Sequence, residues 1–455
     1  MKLFVPTDDD DDVPREPAPQ SAPSTGRFSR FAKLTGLGAG VAARHLTQKI
    51  RGAFTADDNA RISQERAAHK ATAAQVTKTL GELKGAAMKI GQMLATDPEL
   101  LPPEMISVLS QLQHSAPAMD FQTVRGVVEA ALAQPLEDAF ASFSPVPIGA
   151  ASIGQVHRAR TTAAHGSIDV AVKVQYPGIA GTIRSDMKNL GTLLVMARAA
   201  VPKERVDSYL EEITQVIEKE SDYLAEADNL ERFQVVLKNV QGVRVPIPVH
   251  ELSRKNVLVM ELFDGTRLDD WLLSASSEQK TEQGRRLLRA YLEMIHRHGA
   301  LHADPHPGNF LVLTDGTIGM LDLGCVRDYP LAFMDEMLTL LSGLWSHDID
   351  ALQASWRRLG FLDKGVDPEL VYQWLSLLFE PLTTNRATDF GTWKVQDDAM
   401  RFVLDNPTIK LWTPPREVIF YVRVLAGLRS LMNKVGMKLN VFELSHAICQ
   451  ERGII

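Results

Sequence analysis

A lysine stands in the middle of an apolar run, Val170-Ala171-Val172-Lys173-Val174. The β-branched residues around it predict a strand. Burying an ammonium group in such a strand costs several kcal/mol unless anions meet it. Lys173 is therefore either an edge lysine that reaches solvent or one part of a charged site, and the run alone would favour the edge position.

Two polar motifs follow this run in the chain. The first is Leu301-His302-Ala303-Asp304-Pro305-His306-Pro307-Gly308-Asn309, and the second is Leu321-Asp322-Leu323-Gly324 in an apolar context. A strand lysine, H-x-D-x-x-x-x-N and D-x-G, in this order, are typical of protein-kinase-like phosphoryl transfer. The segment between Asn309 and Asp322 is long enough for a small hairpin. The alternative is that these carboxylates only cap loops.

Phosphoryl transfer requires neutralisation of the triphosphate charge and in-line positioning of the reactants. The motifs predict that Lys173 holds the α- and β-phosphates of ATP. Asn309 and Asp322 would ligate Mg²⁺, a hard cation that prefers oxygen donors. Asp304 would orient or deprotonate the attacking nucleophile.

A rival hypothesis is a metal cluster built from the four histidines near the second motif. Pro305 and Pro307 disfavour the helix that would place His302 and His306 on one face. No thiolate or HExxH pattern accompanies them. The four residues are His296, His298, His302 and His306.

A candidate phosphate-covering loop precedes the strand lysine, within residues 147–157. Gly149 and Gly154 have the spacing of a P-loop, but Gln155 and Val156 follow where Lys and Ser or Thr are required. The loop also lacks a full G-x-G-x-x-G pattern. The predicted nucleotide contacts in this loop are Gly149, Ala150, Ala151 and Ser152.

Periodicity and turn signals divide the chain into helical and strand-forming segments. Helices are predicted over Asn59–Met93, Glu104–Leu112, Phe121–Leu132, Ile183–Ala200 and Val206–Leu237. A hairpin is predicted from Val156–Ala159 and Asp169–Val174, and a further strand pair from Val243–Val245 and Val257–Glu261. Residues after Asp328 read as helices broken by proline and glycine.

Five regions follow from these patterns. They are a disordered acidic tail at 1–25, a basic segment at 26–54, a helical region at 55–140, a sheet-containing region with inserted helices at 141–262, and a helical region at 263–455. The basic segment either lies on an anionic membrane surface or docks as a solvated helix onto the main domain.

Composition narrows the functional classes. The net charge of -7 argues against a nucleic-acid partner, which would need a basic footprint. The two cysteines, Cys325 and Cys449, provide no disulfide framework. No apolar stretch reaches the roughly 18 residues of a spanning helix, and an acidic start disfavours a signal peptide. A cytoplasmic protein is expected, with peripheral contact at the inner face of the membrane left open.

Taken together, the motifs of this sequence resemble those of the UbiB/AarF/ADCK family of atypical, protein-kinase-like kinases. The motifs that carry the resemblance are Lys89-Ile90-Gly91-Gln92 (K-x-G-Q), the loop 149–152, Lys173, Glu220-Ser221-Asp222 (E-x-D), Glu226, Asp304, Asn309 and Asp322. The resemblance implies an α+β, bilobal kinase-like fold, with a small antiparallel-sheet N-lobe, a helical C-lobe and an N-terminal helical extension that carries K-x-G-Q.

Site roles follow from the same resemblance. Glu226 is expected to be the helical partner of Lys173, and Met260 to Leu262 are expected to form the hinge under adenine, with Glu261 and Leu262 as nucleotide contacts. The K-x-G-Q extension would fold over the cleft and exclude protein substrates. Its regulatory residues would be Lys89 and Gln92, with Lys89 pairing with Glu220 or Asp222.

Two residues depart from the family pattern. Gly149 replaces the first alanine of the usual A-A-A-S, which leaves the preference between ATP and ADP open. Leu323 stands where Phe is commoner in D-x-G. The leading hypothesis is an ATP- and Mg²⁺-dependent kinase or ATPase that acts on a small molecule or lipid and supports ubiquinone biosynthesis, with proteins of that pathway as partners. The alternatives are a Ser/Thr protein kinase and a nucleotide-binding scaffold without turnover.

Overall fold

The computed structural model describes residues 118–151, 153–179, 181, 183–184, 211, 214–215 and 217–455. The predictions for the tail, the basic segment, the first two helices, the K-x-G-Q motif, Ser152 and most of Ile183–Ala200 lie outside these residues. The chain divides into two compact units, Met1–Val124 with Gly181–Glu211, and Arg125–Ala180 with Glu212–Ile455. All strands described below belong to the second unit.

Helices and strands are numbered in chain order over the described residues. The helices are α1 Phe121–Leu132, α2 Leu136–Ala139, α3 Tyr223–Val236, α4 Leu268–Trp271, α5 Ser277–Leu292, α6 Leu331–Ser346, α7 Ile349–Arg358, α8 Pro368–Leu378, α9 Glu380–Thr383, α10 Val395–Asp405, α11 Arg416–Val435 and α12 Val441–Glu451. The strands are β1 Phe140–Ala151, β2 Gly154–Thr161, β3 Asp169–Gln175, β4 Val243–Arg244, β5 Val257–Glu261, β6 Gly265–Arg267, β7 Ala300–His302, β8 Phe310–Leu313, β9 Ile318–Met320, β10 Val326–Asp328, β11 Leu362–Asp363, β12 Thr388–Asp389, β13 Trp412–Thr413 and β14 Lys438–Leu439.

The strand lysine lies in the interior of an antiparallel sheet with strand order β1-β2-β3-β5. Lys173 on β3 is opposite Val156 on β2 and Leu258 on β5. Its neighbours Val172 and Val174 are fully buried. Because β3 has a partner strand on each side, the edge-lysine alternative is wrong, and the predicted hairpin of β2 and β3 is confirmed.

Helix α3 begins at Tyr223, inside the range Val206–Leu237 that is predicted as one helix. The Asp222 carboxylate accepts hydrogen bonds from the backbone N–H groups of Leu224 and Ala225, which is an N-cap arrangement. The prediction of one helix over Val206–Leu237 is therefore wrong at this point. The buried face of α3 follows three- and four-residue spacing and consists of Tyr223, Glu226, Ala227, Leu230, Phe233 and Val236.

A second four-stranded sheet has the order β4-β9-β8-β6. Strands β8 and β9 form the predicted small hairpin between Asn309 and Asp322, and Gly316 has a φ of 79° in its turn. The predicted pairing of Val243–Val245 with Val257–Glu261 is wrong. Strand β4 pairs in parallel with β9, whereas β5 pairs with β3 in the first sheet.

After Asp328 the described chain is mainly helical, as predicted, from α6 to α12. Two short strand pairs, β11 with β13 and β12 with β14, join these helices. The first predicted helix within the described residues, α1, has the predicted bounds. With its antiparallel sheets and its helices, the chain has an α+β fold. Among all the residues that the structure describes, no helix has both the length and the apolar character needed to cross a membrane.

Candidate functional site

The Lys173 side chain is held by two carboxylates that come from distant parts of the chain. Its Nζ donates to Oε1 and Oε2 of Glu226 at 2.9 Å each and to Oδ2 of Asp322 at 3.0 Å. The ring of Tyr223 adds a cation–π contact, 5.0 Å from Nζ to the centroid. Only 8% of the lysine side chain is exposed. The anions that a buried ammonium needs are therefore present.

The charges of this cluster influence each other. Burial lowers the pKa of Lys173, but the carboxylates of Asp322 and Glu226 outweigh burial and hold that pKa well above its ordinary value. Burial raises the pKa of Glu226 to about 7, although the Lys173 charge opposes the shift and Asp322 and Glu220 reinforce it. The buried Lys173 ammonium thus faces several acidic side chains, and the charges of Asp322 and Glu220 add to the effect of burial on Glu226.

Gly324 of the D-x-G motif lies where these carboxylate side chains converge. A Cβ at this position would lie 3.3 Å from Oδ1 of Asp322, 3.5 Å from Oε2 of Glu226 and 3.6 Å from Cγ of Glu220. The backbone N–H of Gly324 donates to Oδ1 of Asp322 at 2.9 Å. Glu220 of the E-x-D motif is therefore a buried neighbour of the site, 6% exposed.

Asp304 and Asn309 occupy opposite ends of one tight loop. The Asn309 amide nitrogen donates to the backbone oxygen of Asp304 at 3.0 Å and to its Oδ2 at 3.1 Å. Residues Pro307–Asn309 form a 3-10 turn, at whose start Nδ1 of His306 accepts from the N–H of Gly308. The loop is therefore fixed by its own side chains.

Backbone hydrogen bonds join this loop to the segment that carries Asp322. The N–H of Leu321 donates to the oxygen of Asn309 at 2.9 Å, and the N–H of Ala303 donates to the oxygen of Cys325 at 2.9 Å. Strands β7 and β10 continue the pairing. The structure thus brings together the four residues predicted to carry the chemistry, namely Lys173, Asp304, Asn309 and Asp322.

The predicted nucleotide loop lies at the end of the β1–β2 hairpin. Gly149, Ala150 and Ala151 are opposite Val156, Gln155 and Gly154, and Ser152 lies outside the described residues. Gly154 cannot be replaced without a backbone shift, because a Cβ there would lie 2.3 Å from the oxygen of Val174. The loop therefore connects β1 to β2, the strand that pairs with β3.

The predicted hinge residues lie at the other end of the same sheet. Glu261 is opposite Val170 on β3. Its carboxylate accepts from Arg244 at 2.8 Å, so its side chain already has a structural partner. The N–H of Leu262 donates to the oxygen of Asp169 at 3.3 Å. The Glu261 carboxylate and the Leu262 N–H thus both have partners within the protein.

Oxygen ligands for a magnesium ion are available at Asp322 and Asn309. Because the Asn309 amide nitrogen faces Asp304, its amide oxygen is the atom suited to a cation. Mg²⁺ is commonly held by one or two protein oxygens together with substrate phosphates, so these two residues fit it. Among the described residues no group of three or more His, Cys, Asp or Glu side chains is arranged to hold a metal. The histidine-cluster hypothesis is therefore not supported within that part of the chain.

Three supporting residues were missed by the sequence analysis. Asn229 on α3 donates from Nδ2 to the backbone oxygen of Leu323 at 2.9 Å, which ties the helix of Glu226 to the D-x-G segment. Gln175 donates to the oxygen of Ser221 at 2.9 Å. Tyr291 bonds Nδ1 of His302 through its hydroxyl at 2.8 Å. Only the three-residue spacing from Glu226 to Asn229 could have indicated one of them.

Comparisons with known proteins agree with this architecture. A family model described as the ABC1 atypical kinase-like domain matches residues 111–356. The chain is 29% identical over 406 residues to the mitochondrial atypical kinase COQ8B of Rattus norvegicus, which covers 88% of this chain and 76% of that protein. It is 28% identical over 447 residues to the probable serine/threonine-protein kinase abkA of Dictyostelium discoideum, covering 91% of this chain and 78% of that protein.

A solved structure is also similar. The complex of Rv3197 with erythromycin from Mycobacterium tuberculosis matches with a TM-score of 0.60 at 25% identity, covering 87% of this chain and 98% of that chain. The fold and the arrangement around Lys173 are those of a protein-kinase-like protein. More narrowly, the chain belongs to the ABC1 family of atypical kinase-like proteins, the UbiB/AarF/ADCK family.

Proposed function

We propose that this chain is an ATP- and Mg²⁺-dependent atypical kinase or ATPase that acts on a small molecule or lipid. The observation that carries the proposal is the buried Lys173 ammonium, held at 2.9 Å by Glu226 and at 3.0 Å by Asp322. A group with this burial and these partners would be costly in a protein that had no use for it.

Each residue has a role in this proposal. Glu226 fixes the Lys173 ammonium, which binds the phosphates of the nucleotide. Asn309 and Asp322 hold Mg²⁺, which neutralises phosphate charge when bound. Asp304, fixed by its bonds from Asn309, orients the acceptor hydroxyl or takes its proton. Nucleotide contacts at the ends of β1 and β5 come from 149–152 and from Glu261 and Leu262.

We further propose that the acceptor belongs to isoprenoid-quinone (ubiquinone) biosynthesis. The family resemblance supports this pathway, and the mitochondrial atypical kinase COQ8B is among the relatives. A lipid-like acceptor would bring the protein to a membrane surface, where proteins of the same pathway are its expected partners. By the same resemblance Lys89, Gln92, Glu220 and Asp222 regulate access to the site.

The test is ATP turnover by the purified chain with liposomes and a phenolic mimic of a quinone precursor. Both additions should raise turnover. Asp322→Asn should lower kcat by about 10² to 10³, the loss typical for one strong charge contact in a transition state. The matched control is Asp315→Asn, an exposed aspartate in the β8–β9 turn whose bond from the Thr317 N–H an asparagine can also accept. Turnover that stays at background in the wild type, with no effect of Asp322→Asn, would remove the proposal.

A second candidate function is phosphorylation of Ser or Thr on other proteins. The similarity to the probable serine/threonine-protein kinase abkA favours it. Deletion of residues 55–110 distinguishes the two, since a protein kinase would keep or increase phosphorylation of added protein. Misfolding or autophosphorylation alone would favour the small-molecule acceptor. A scaffold without turnover would need only the nucleotide-binding residues, whereas this chain also has Asp304.

A further inference from the structure

An apolar cavity lies among helices that come before and after the loop Asp304–Asn309, which is called the catalytic loop below for the role proposed above. Its volume is about 80 Å³, several times the roughly 10–15 Å³ that one water molecule requires. Helices α5, α6, α11 and α12 supply most of its wall, which is mainly leucine. Representative lining residues are Leu288, Leu292, Leu341, Leu344, Leu425 and Leu428. The lining favours an apolar occupant over a chain of water molecules.

One polar side-chain atom in this wall lacks a hydrogen-bond partner among the described residues. His296 lines the cavity and is 4% exposed, and its Nδ1 is buried without a hydrogen-bond partner among the described residues. Buried polar atoms are nearly always paired, so an unpaired one calls for a ligand or another explanation.

The charges near His296 do not supply that partner. Burial lowers the pKa of His296 to about 4, with Asp335 opposing the shift and Arg452 adding to it, so the ring is neutral at pH 7. Asp335 and Arg452 pair with each other at 2.7 Å. A neutral ring of this kind suits a hydroxyl group better than an ion.

The backbone at His296 is also unusual. Helix α5 passes into a π-helical turn, Glu293–Arg297, which places Ile295 and His296 in the cavity wall. Such turns are rare and occur frequently at functional sites. The chain then turns at Gly299, with a φ of 61°, where a Cβ would lie 2.3 Å from the oxygen of Tyr329. The π-helical turn is thus followed directly by a closely packed segment.

The cavity wall is in contact with the catalytic loop. The Tyr291 ring lines the cavity, and its hydroxyl bonds Nδ1 of His302 at 2.8 Å. Both residues are fully buried. His302 ends β7, two residues before Asp304. An occupant that moved Tyr291 would therefore move a hydrogen bond at the start of the loop.

We propose that this cavity binds an uncharged, mainly aliphatic small molecule through one hydroxyl group bonded to Nδ1 of His296, and that binding is relayed to the catalytic loop through Tyr291 and His302. The cavity is a separate site from the one around Lys173. Binding can therefore be measured without nucleotide, so this proposal can fail while the proposed phosphoryl transfer stands.

The test compares 1-hexanol with 1-fluorohexane, which has the same length but replaces the hydroxyl with a poor hydrogen-bonding group. Ligand-observed NMR titration of the full chain should show saturable binding of 1-hexanol, at least tenfold tighter than that of 1-fluorohexane. His296→Phe should bind both with equal affinity. Leu344→Phe, which fills the cavity, should bind neither, while the exposed control Leu273→Phe should behave as wild type.

The relay is tested by the ¹⁵N imidazole resonances of His302. Addition of 1-hexanol should shift them in the wild type but not in Tyr291→Phe, which keeps the ring and removes the hydroxyl. Equal affinities of the two probes for the wild type, or no saturable binding, would overturn the site, and this comparison does not depend on any variant folding. Saturable binding without a shift at His302 would overturn the relay.

Discussion

For Lys173 the sequence alone predicts a strand but does not decide between an edge strand and an interior strand. Its apolar neighbours indicated a strand, but an edge position and an interior position have the same local pattern. The order β2-β3-β5 decides between them, because β5 comes from residues more than eighty positions later. Once β3 is interior, the ammonium requires the carboxylates of Glu226 and Asp322.

This dependence gives a prediction at the level of the residue. Lys173→Met leaves Glu226 and its carboxylate neighbours without their cation, so the free energy of unfolding should fall by about 3–5 kcal/mol. Adding Glu226→Gln removes one uncompensated charge and should restore part of the loss. Urea denaturation at pH 8 of the two single variants and the double variant measures the coupling. Strictly additive effects would contradict the direct ion pair.

At the scale of elements, local signals predicted what local interactions determine. Helix α1 has the predicted bounds, and the β8–β9 hairpin lies where the spacing from Asn309 to Asp322 left room for it. The start of α3 was missed although Asp222 is a favoured N-cap residue, because the apolar periodicity continues across it. The predicted partners of β4 and β5 are also wrong, since the pairing of strands that are far apart in sequence has no local signature.

The site was predictable to a similar extent. The motif order predicted Lys173, Asp304, Asn309 and Asp322, which the fold brings together, because kinase-like phosphoryl transfer requires these residue types in this order. It gave no indication of Tyr291 or of the π-helical turn at 293–297, because neither changes the apolar periodicity around it. Such supporting features depend on packing between helices, which the sequence does not show directly.

The π-helical turn carries a prediction about pH. The folded pKa of His296 is lowered from 6.5 to about 4 by burial, so the unfolded chain binds more protons between these values. The stability contributed by the neutral ring is complete above pH 6.5 and is lost as the pH falls toward 4, by about 3 kcal/mol. Urea denaturation at pH 7 and pH 4 measures it.

The matched variant for that measurement is His296→Phe. It has no titrating group at this position, and comparing it with the wild type cancels the titration of every other residue. Relative to His296→Phe, the wild type should lose about 3 kcal/mol on going from pH 7 to pH 4. The same pH dependence in both proteins would mean that His296 is not the group responsible.

At the scale of the whole molecule, the candidate site draws on both four-stranded sheets. The first sheet contributes Lys173, whereas Asn309 and Asp322 lie at the two ends of the β8–β9 hairpin of the second. Helix α3 connects them through Glu226 and through the bond from Asn229 to Leu323. A nucleotide that bound all of these residues would bind only the folded chain, because unfolding separates them.

Ligand binding should therefore be visible as a change in global stability. ATP with Mg²⁺ at 100 times its Kd should stabilise the folded chain by about 2.7 kcal/mol, seen as a rise in the thermal unfolding midpoint. EDTA should remove most of the rise, because Asp322 and Asn309 are proposed to meet the phosphates through the metal. Asp322→Asn should lose the part of the rise that depends on Mg²⁺, whereas Asp315→Asn should keep all of it. A rise of equal size with EDTA would show that the nucleotide binds without the metal, and that Asp322 holds Lys173 in place without acting as a ligand.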